Sequence, residues 1–331
     1  MILSKPLYFD DFSCIASDCP DSCCKEWDVQ VDETSAALYR SLPGDLGDRL
    51  RQVLVEEDGE TVMLIEEGRC PMWRGDGLCR IQAELGEEAL CKTCREFPRL
   101  THDYGDFLER NLELSCPEAA RIILSAQPGW VSEEIPGGEE PEYDAEAMGS
   151  LKASREVIYS LLADTGRPIH ETMALALIYG YQAQGELDGD EPAPFDADAA
   201  MSTAREFAKI GDPEGLLSFF RGLEILTPQW RSRLEHPTPG SFDDRYRLLS
   251  RYFVDRYWLQ AVSDYDLSSR VKFMIVSCLL IRHLGGELVE TAQIYSKEIE
   301  NSAENLDLIL DAAYTHPAFT DDKLLGMLLN A

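Results

Sequence analysis

The sequence predicts a mainly α protein with a small, irregular α+β segment, rich in cysteine, at its N-terminus. Three observations predict it. Nine of the ten cysteines fall in the first 116 residues, among short apolar runs broken by Gly and Pro. The last third places apolar residues at three- and four-residue steps, the period of an amphipathic helix. At 331 residues, 44% hydrophobic and 27% charged, the chain can bury a real core in one large domain or two ordinary ones.

Each element follows from local pattern. WDVQV at 27–31 alternates like a short strand. DETSAALYRSL opens on Asp32, a good helix cap, and reads as a helix. TVMLI and FLERNLELS read as strand segments, and CPEAARIILSA as a helix with Pro117 at its first position. Residues 127–142 and 185–194 are acidic and rich in Pro and Gly, which predicts solvated loops. Between them LKASREVIYSLLAD and HETMALALIYGYQAQ read as helices. Residues 245–262 form an aromatic-rich amphipathic helix. Residues 268–284 are apolar nearly all round and predict a central buried helix. ETAQIYSKEIE, SAENLDLILDAAY and DDKLLGMLLNA complete the helical part. The composition divides the chain into a cysteine-rich segment, 1–126, an acidic linker and helical segment, 127–200, and a helical C-terminal domain, 201–331.

Charge narrows the function. Lys plus Arg number 30 and Asp plus Glu 61, a net charge of −31. Such a chain is repelled by a phosphate backbone and by an anionic bilayer, so neither nucleic acid nor membrane is an expected partner. A lysine-bearing protein would be attracted; plain solubility is the other reading of the same charge. No run of 18 apolar residues exists, and MILSKPLYFDDF lacks the apolar stretch of a secretion signal, which predicts a cytoplasmic, reducing location.

The cysteines carry the chemistry. Cys14, Cys19, Cys23, Cys24, Cys70, Cys79, Cys91, Cys94 and Cys116 run as C-x4-C-x3-C-C, C-x8-C, C-x2-C and a single Cys. The C-x-x-C at Cys91 and Cys94 brings two thiolates to one metal, and four thiolates at tetrahedral angles hold zinc or an iron–sulfur cluster. Soft thiolate argues against magnesium and calcium. His102 is the only histidine of the segment, which favours an all-cysteine shell. Disulfides, a purely structural zinc site and a few reduced core cysteines compete with this reading, and Cys278 on its apolar helix fits the last. The spacing leaves open which cysteines share a centre, how many centres exist, and zinc against iron. G-x-G-x-x-G after a strand and G-x-x-x-x-G-K-[ST] are both absent, and the C-x3-C-x2-C spacing fails because position 26 is Glu26.

FSCIASDCPDSCCKEWDVQVD, GRCPMW, GLCRIQAELGEEALCKTCREFPR and LELSCPEAARIIL, over about residues 7–125, resemble the flagellin lysine-N-methylase family. More broadly the segment is similar to the C-x-x-C-x-x-C-C family of zinc- or iron-chelating proteins. LLSRYFVDRYWLQ and YSKEIENSAENLDLIL resemble the family's helical half, with Asn301 where the family has a histidine after Ile-Glu. The resemblance implies methyl transfer from S-adenosylmethionine to lysines of flagellin or another lysine-rich protein. It also implies an iron–sulfur cluster, of 4Fe–4S type, on the N-terminal cysteines, with zinc as the alternative metal. A non-enzymatic metal-chelating or docking module is the alternative function.

The sulfonium donor suits aromatic faces, and Tyr246, Tyr252, Phe253, Tyr257 and Trp258 form an aromatic stripe; core packing is the plainer role. Arg256 suits a donor or substrate carboxylate. Tyr252, Arg256, Tyr295, Glu300 and Asn301 are therefore the expected cofactor-binding residues, with no catalytic base assigned.

Overall fold

The computed structural model describes residues 1–21, 23, 29–57, 59–66 and 68–330, and the chain is mainly helical. Its strands are β1 (Ile2–Pro6), β2 (Val29–Gln30), β3 (Leu54–Glu57), β4 (Glu60–Met63), β5 (Arg99–Asp103), β6 (Phe107–Leu112) and β7 (Trp130–Glu134). They form a four-stranded sheet in the order β5-β6-β1-β7 and a three-stranded sheet in the order β2-β4-β3. Among the described residues only β1 and β6 run parallel; every other pairing is antiparallel.

The N-terminal helices are short: α1 (Glu33–Ser41), α2 (Gly44–Val53), α3 (Arg80–Leu85), α4 (Lys92–Glu96) and α5 (Pro117–Ile123). Asp32 caps α1 by accepting from the Ser35 amide at 3.0 Å, as its sequence position predicts. Two long helices follow, α6 (Ala145–Ala163) and α7 (Ile169–Leu187), then α8 (Ala197–Phe207), α9 (Pro213–Arg221) and α10 (Pro228–Glu235). The last five are α11 (Arg245–Tyr257), α12 (Leu267–Leu284), α13 (Leu288–Ile299), α14 (Ala303–Thr315) and α15 (Asp321–Leu329). Helix α12 is buried on nearly every side, as its nearly all-round apolarity predicts, and Cys278 sits in it fully buried. Gly285 ends it at φ +65°, where a Cβ would collide with the Thr238 carbonyl oxygen. Among the described residues no helix is long and apolar enough to cross a membrane.

Residues 127–142 are not a plain solvated loop. Trp130–Glu134 form β7, antiparallel to β1. The edge of β1 offers unpaired backbone groups, and Trp130 packs on the core while Val131 to Glu134 face water. The stretch 185–194 is shortened in the same way, because α7 continues through Leu187.

Two hydrophobic clusters organise the molecule. The large one gathers α6 to α15 with Tyr8, Phe9 and Phe12, Phe107 and Leu112 of the four-stranded sheet, and α5. The small one lies between Val29 and Cys91 and includes Val53, Met63, Met72 and Ile81. Strand β6 joins sheet to helices. Its two-residue period puts Phe107, Glu109 and Asn111 on one buried face, and Glu113 continues that row. Glu109 accepts two bonds from Arg155 of α6, at 2.8 and 2.7 Å, and the Asn111 amide donates to the Asp255 carbonyl oxygen of α11.

Candidate functional site

Eight of the nine N-terminal cysteines line one cavity of about 300 Å³: Cys14, Cys19, Cys23, Cys70, Cys79, Cys91, Cys94 and Cys116. Cys24, the ninth, lies outside the described residues. Chain segments 102 residues apart therefore supply sulfur to one place. The local structure explains how. Cys79, Cys91 and Cys116 each stand at the N-cap of a short helix, α3, α4 and α5. The amides of the first helical turn have no intrahelical acceptor, and in each case they lie near enough to favour the thiolate, without a capping hydrogen bond to the sulfur.

Neighbouring elements fix this arrangement. Asp32 takes the Lys92 amide at 2.8 Å on its second carboxylate oxygen, and Thr93 donates to the Gln30 carbonyl at 2.8 Å. Cap and C-x-x-C helix are thus tied to one side chain, and the amide bonds hold the Asp32 carboxyl down to about 2. From the helical side, Lys297 reaches Asp21 at 3.1 Å, between Cys19 and Cys23. Gln293 donates to Asp21 at 3.2 Å and to the Ser115 carbonyl at 2.8 Å. Helix α13 therefore holds the first cysteine loop and the chain before Cys116 together.

The thiols differ in acidity. A hydrogen bond from Cys94 outweighs burial and lowers Cys91 to about 7. Burial dominates at Cys116, which rises to about 12, and it raises Cys19 and Cys79. A cation at the cavity would reverse the rise, because it favours thiolate. The donor chemistry fits a thiolate-held centre: eight thiols line the cavity, and among the described residues no histidine does. Among the described residues no three His, Cys, Asp or Glu side chains converge closely enough to hold a single metal ion.

The expected cofactor-binding residues fall into three places. Tyr252, Arg256 and Glu300 meet in a buried network. Glu300 accepts from the Tyr252 hydroxyl at 3.0 Å and the Tyr257 hydroxyl at 2.8 Å, and its Oε1 lies 3.3 Å from Arg256 Nη1. Arg256 also stands 3.5 Å from Glu113 Oε1 and donates to Tyr252 at 2.7 Å. Tyr295 lies elsewhere in the core, with its hydroxyl 2.6 Å from Ser277 and its ring edge-on to Phe253 and Trp230. Asn301 is exposed and lines a small cavity beside Glu113. The aromatic stripe 246–258 is buried throughout: Tyr246, Tyr252, Phe253, Tyr257 and Trp258 all belong to the large core.

Comparison with known proteins gives the context. The chain is 34% identical over 130 residues to the flagellar biosynthetic protein FliU of Salmonella muenchen, a match covering 37% of this chain and 77% of that protein. The chain belongs to the flagellin lysine-N-methylase family. Two family proteins named Lysine-N-methylase, from Salmonella choleraesuis and Salmonella typhimurium, match at the same 34% over 130 residues. The match spans about a third, 32%, of the length of each. No family model and no solved structure matches the chain.

Within this family member, sequence reasoning missed Glu113, Asp21, Gln293 and Lys297. Glu113 had a signal: Glu109 and Asn111 alternate along β6 on the face of Phe107, and Glu113 continues that row just past the strand's end. Buried polar residues at such spacing need partners on whatever covers the strand. Asp21, Gln293 and Lys297 had none, because their contact joins loop and helix 272 residues apart.

Proposed function

We propose that this chain is a protein-lysine N-methyltransferase acting on flagellin, with S-adenosylmethionine as donor and an iron–sulfur centre, of 4Fe–4S type, held by the N-terminal cysteines. The observation that carries the reading is the match to two proteins named Lysine-N-methylase. The cysteine cavity supports the metal part. Thiolates on one zinc ion crowd within about 4 Å of one another, given Zn–S bonds of about 2.3 Å. Ligands of a cluster sit on separate irons and stand further apart. Eight cysteines around about 300 Å³ leave room for the wider spacing of a cluster.

The chemistry asked of the protein is plain. The lysine ammonium gives up a proton, the amine lone pair forms a bond to the methyl carbon, and the carbon–sulfur bond breaks with its electrons returning to sulfur. A desolvated site favours the neutral amine, and a carboxyl nearby accepts its proton. The net charge of −31 attracts a lysine-bearing protein into such a site, in a cytoplasmic setting. When bound, an iron–sulfur centre supplies electron-transfer or Lewis-acid chemistry at the cysteine wall. Cys79, Cys91, Cys94 and Cys116 would hold it through sulfur, three of them from helix N-caps and Cys94 from within α4.

The test is methyl transfer. Protein purified anaerobically is given methyl-labelled S-adenosylmethionine and flagellin, and lysine residues are read by mass spectrometry. The expected result is one or more Nζ-methyl lysines. Saturable metal content without donor binding or methylation would replace this reading with the metal-chelating module.

A further inference from the structure

A second, smaller cavity of about 220 Å³ adjoins the cysteine cavity; Phe97, Pro98 and Arg99 line both. Its lining is mainly apolar, with Phe97, Pro98 and Leu100 as walls. Glu113 lines it, with its residue surface only 7% exposed, and Asn301 reaches it from the end of α13. The Glu113 amide donates to the Pro98 carbonyl at 2.9 Å, which fixes carboxyl and wall together.

The charges here do not balance. Arg256 is shared by two buried carboxyls, at 3.5 Å from Glu113 and 3.3 Å from Glu300. Glu96 at the exposed surface is a second acid of the lining. Arg99, the cation that lines the cavity, stacks over the Phe12 ring with its guanidinium carbon 5.0 Å from the ring centre. A carboxyl in an apolar cavity that shares its only strong cation has room for a second positive partner.

We propose that this cavity is the subsite for a primary alkylammonium group on a methylene stem, a lysine side chain, with Phe97, Pro98 and Leu100 along the stem and Glu113 and Asn301 accepting hydrogen bonds from the nitrogen. The assignment rests on the lysine-methyltransferase reading and locates its acceptor. The volume falls below the range of about 300–1,000 Å³ typical of drug-sized ligands, so the cavity suits an amine side chain and not a nucleoside donor. The shared Phe97–Arg99 wall puts the amine beside the cysteines.

The test is binding of two neutral-ended probes to the full chain, purified anaerobically. N-acetyl-lysine N-methylamide carries the ammonium; N-acetyl-norleucine N-methylamide has a similar chain without it. Wild-type protein should bind the lysine probe about tenfold or more tightly, and Glu113→Gln should erase that preference. Asn301→Ala should weaken the lysine probe by a smaller factor. Leu100→Phe, which fills the cavity from its apolar side, should weaken both probes and serves if Glu113→Gln does not fold. Glu139→Gln, on a separate acidic groove, should change nothing beyond a salt-dependent effect. Equal binding of the two probes, or an undiminished lysine preference in Glu113→Gln, overturns the proposal. Methyl transfer measured in parallel separates the failures. Protein that binds the lysine probe but methylates nothing keeps the subsite and loses the activity. Protein that methylates flagellin with an unchanged KM in Glu113→Gln keeps the activity and loses the subsite.

Discussion

In the helical core, Phe253 is 2% exposed and packs edge-on against Tyr252, Phe273 and Tyr295, while Asp255 beside it bonds Tyr159 at 2.5 Å and faces Arg251 at 3.6 Å. In the small core between Val29 and Cys91, the elements are helices of six to ten residues and two- to four-residue strands, and sulfur atoms face a cavity. The first region meets its needs from within: apolar surface against apolar surface, each buried charge against a partner. The second has little apolar surface to bury and leaves much of its polar capacity aimed at one space. On the proposed reading its order depends on the metal centre that fills that space, as in small metal-held domains.

The sharpest way to break the contrast is at the C-x-x-C. Cys91→Ser or Cys94→Ser should lose the metal entirely and expose residues 29–94 to limited proteolysis, while the helical half still melts cooperatively. A variant that keeps full metal content would place the centre elsewhere. The next largest effect is in the other region. Phe253→Ala should cost about 3–5 kcal/mol in chemical denaturation, with metal per folded chain unchanged.

Asp255 gives a pH signature of the helical half. Burial raises its carboxyl from 3.8 to about 6, against the pull of Arg251. The fold penalises the ionised form, so this group's stabilising effect is complete below about 3.8 and is lost as pH rises through about 6. The loss is on the order of 3 kcal/mol. Asp255→Asn should flatten stability between those values; a slope that survives in the variant assigns it to another group. Asp32 works in the opposite direction. Its carboxyl is held to about 2 by the Lys92 and Ser35 amides, so its contribution is present above about 4 and lost toward pH 2. Asp32→Ala should cost about 1 kcal/mol, the usual worth of a helix cap, and speed metal release to a chelator. The smallest effect is at Cys278, which is fully buried beside Ser250. Cys278→Ser should leave metal content unchanged, and metal loss there would erase the distinction between the two regions.

Much of the helical part was legible because its signal is local. Helix α12 is apolar nearly all round and is buried nearly all round, and Asp32 and Pro117 start helices where a cap and a first-turn proline belong. Strand β7 was not legible: Val131 to Glu134 are exposed, so no apolar period marks them, and the edge of β1 alone makes them a strand. The cysteines announced a thiol-rich site but not its shape, since Cys14 and Cys116 meet only through the tertiary fold. The residues around Arg256 divided for the same reason. Helix faces bring Tyr252, Arg256 and Glu300 together, whereas Tyr295 turns toward Ser277 and Asn301 emerges at the surface.

Iron and acid-labile sulfide, measured with an absorption spectrum on anaerobically purified protein, test the central claim most directly. The account predicts iron and sulfide in equal amounts, near four of each per chain, with a broad band around 400 nm that disappears in Cys91→Ser. Zinc without sulfide, or a protein with every N-terminal cysteine alkylated rapidly and no metal at all, would contradict it.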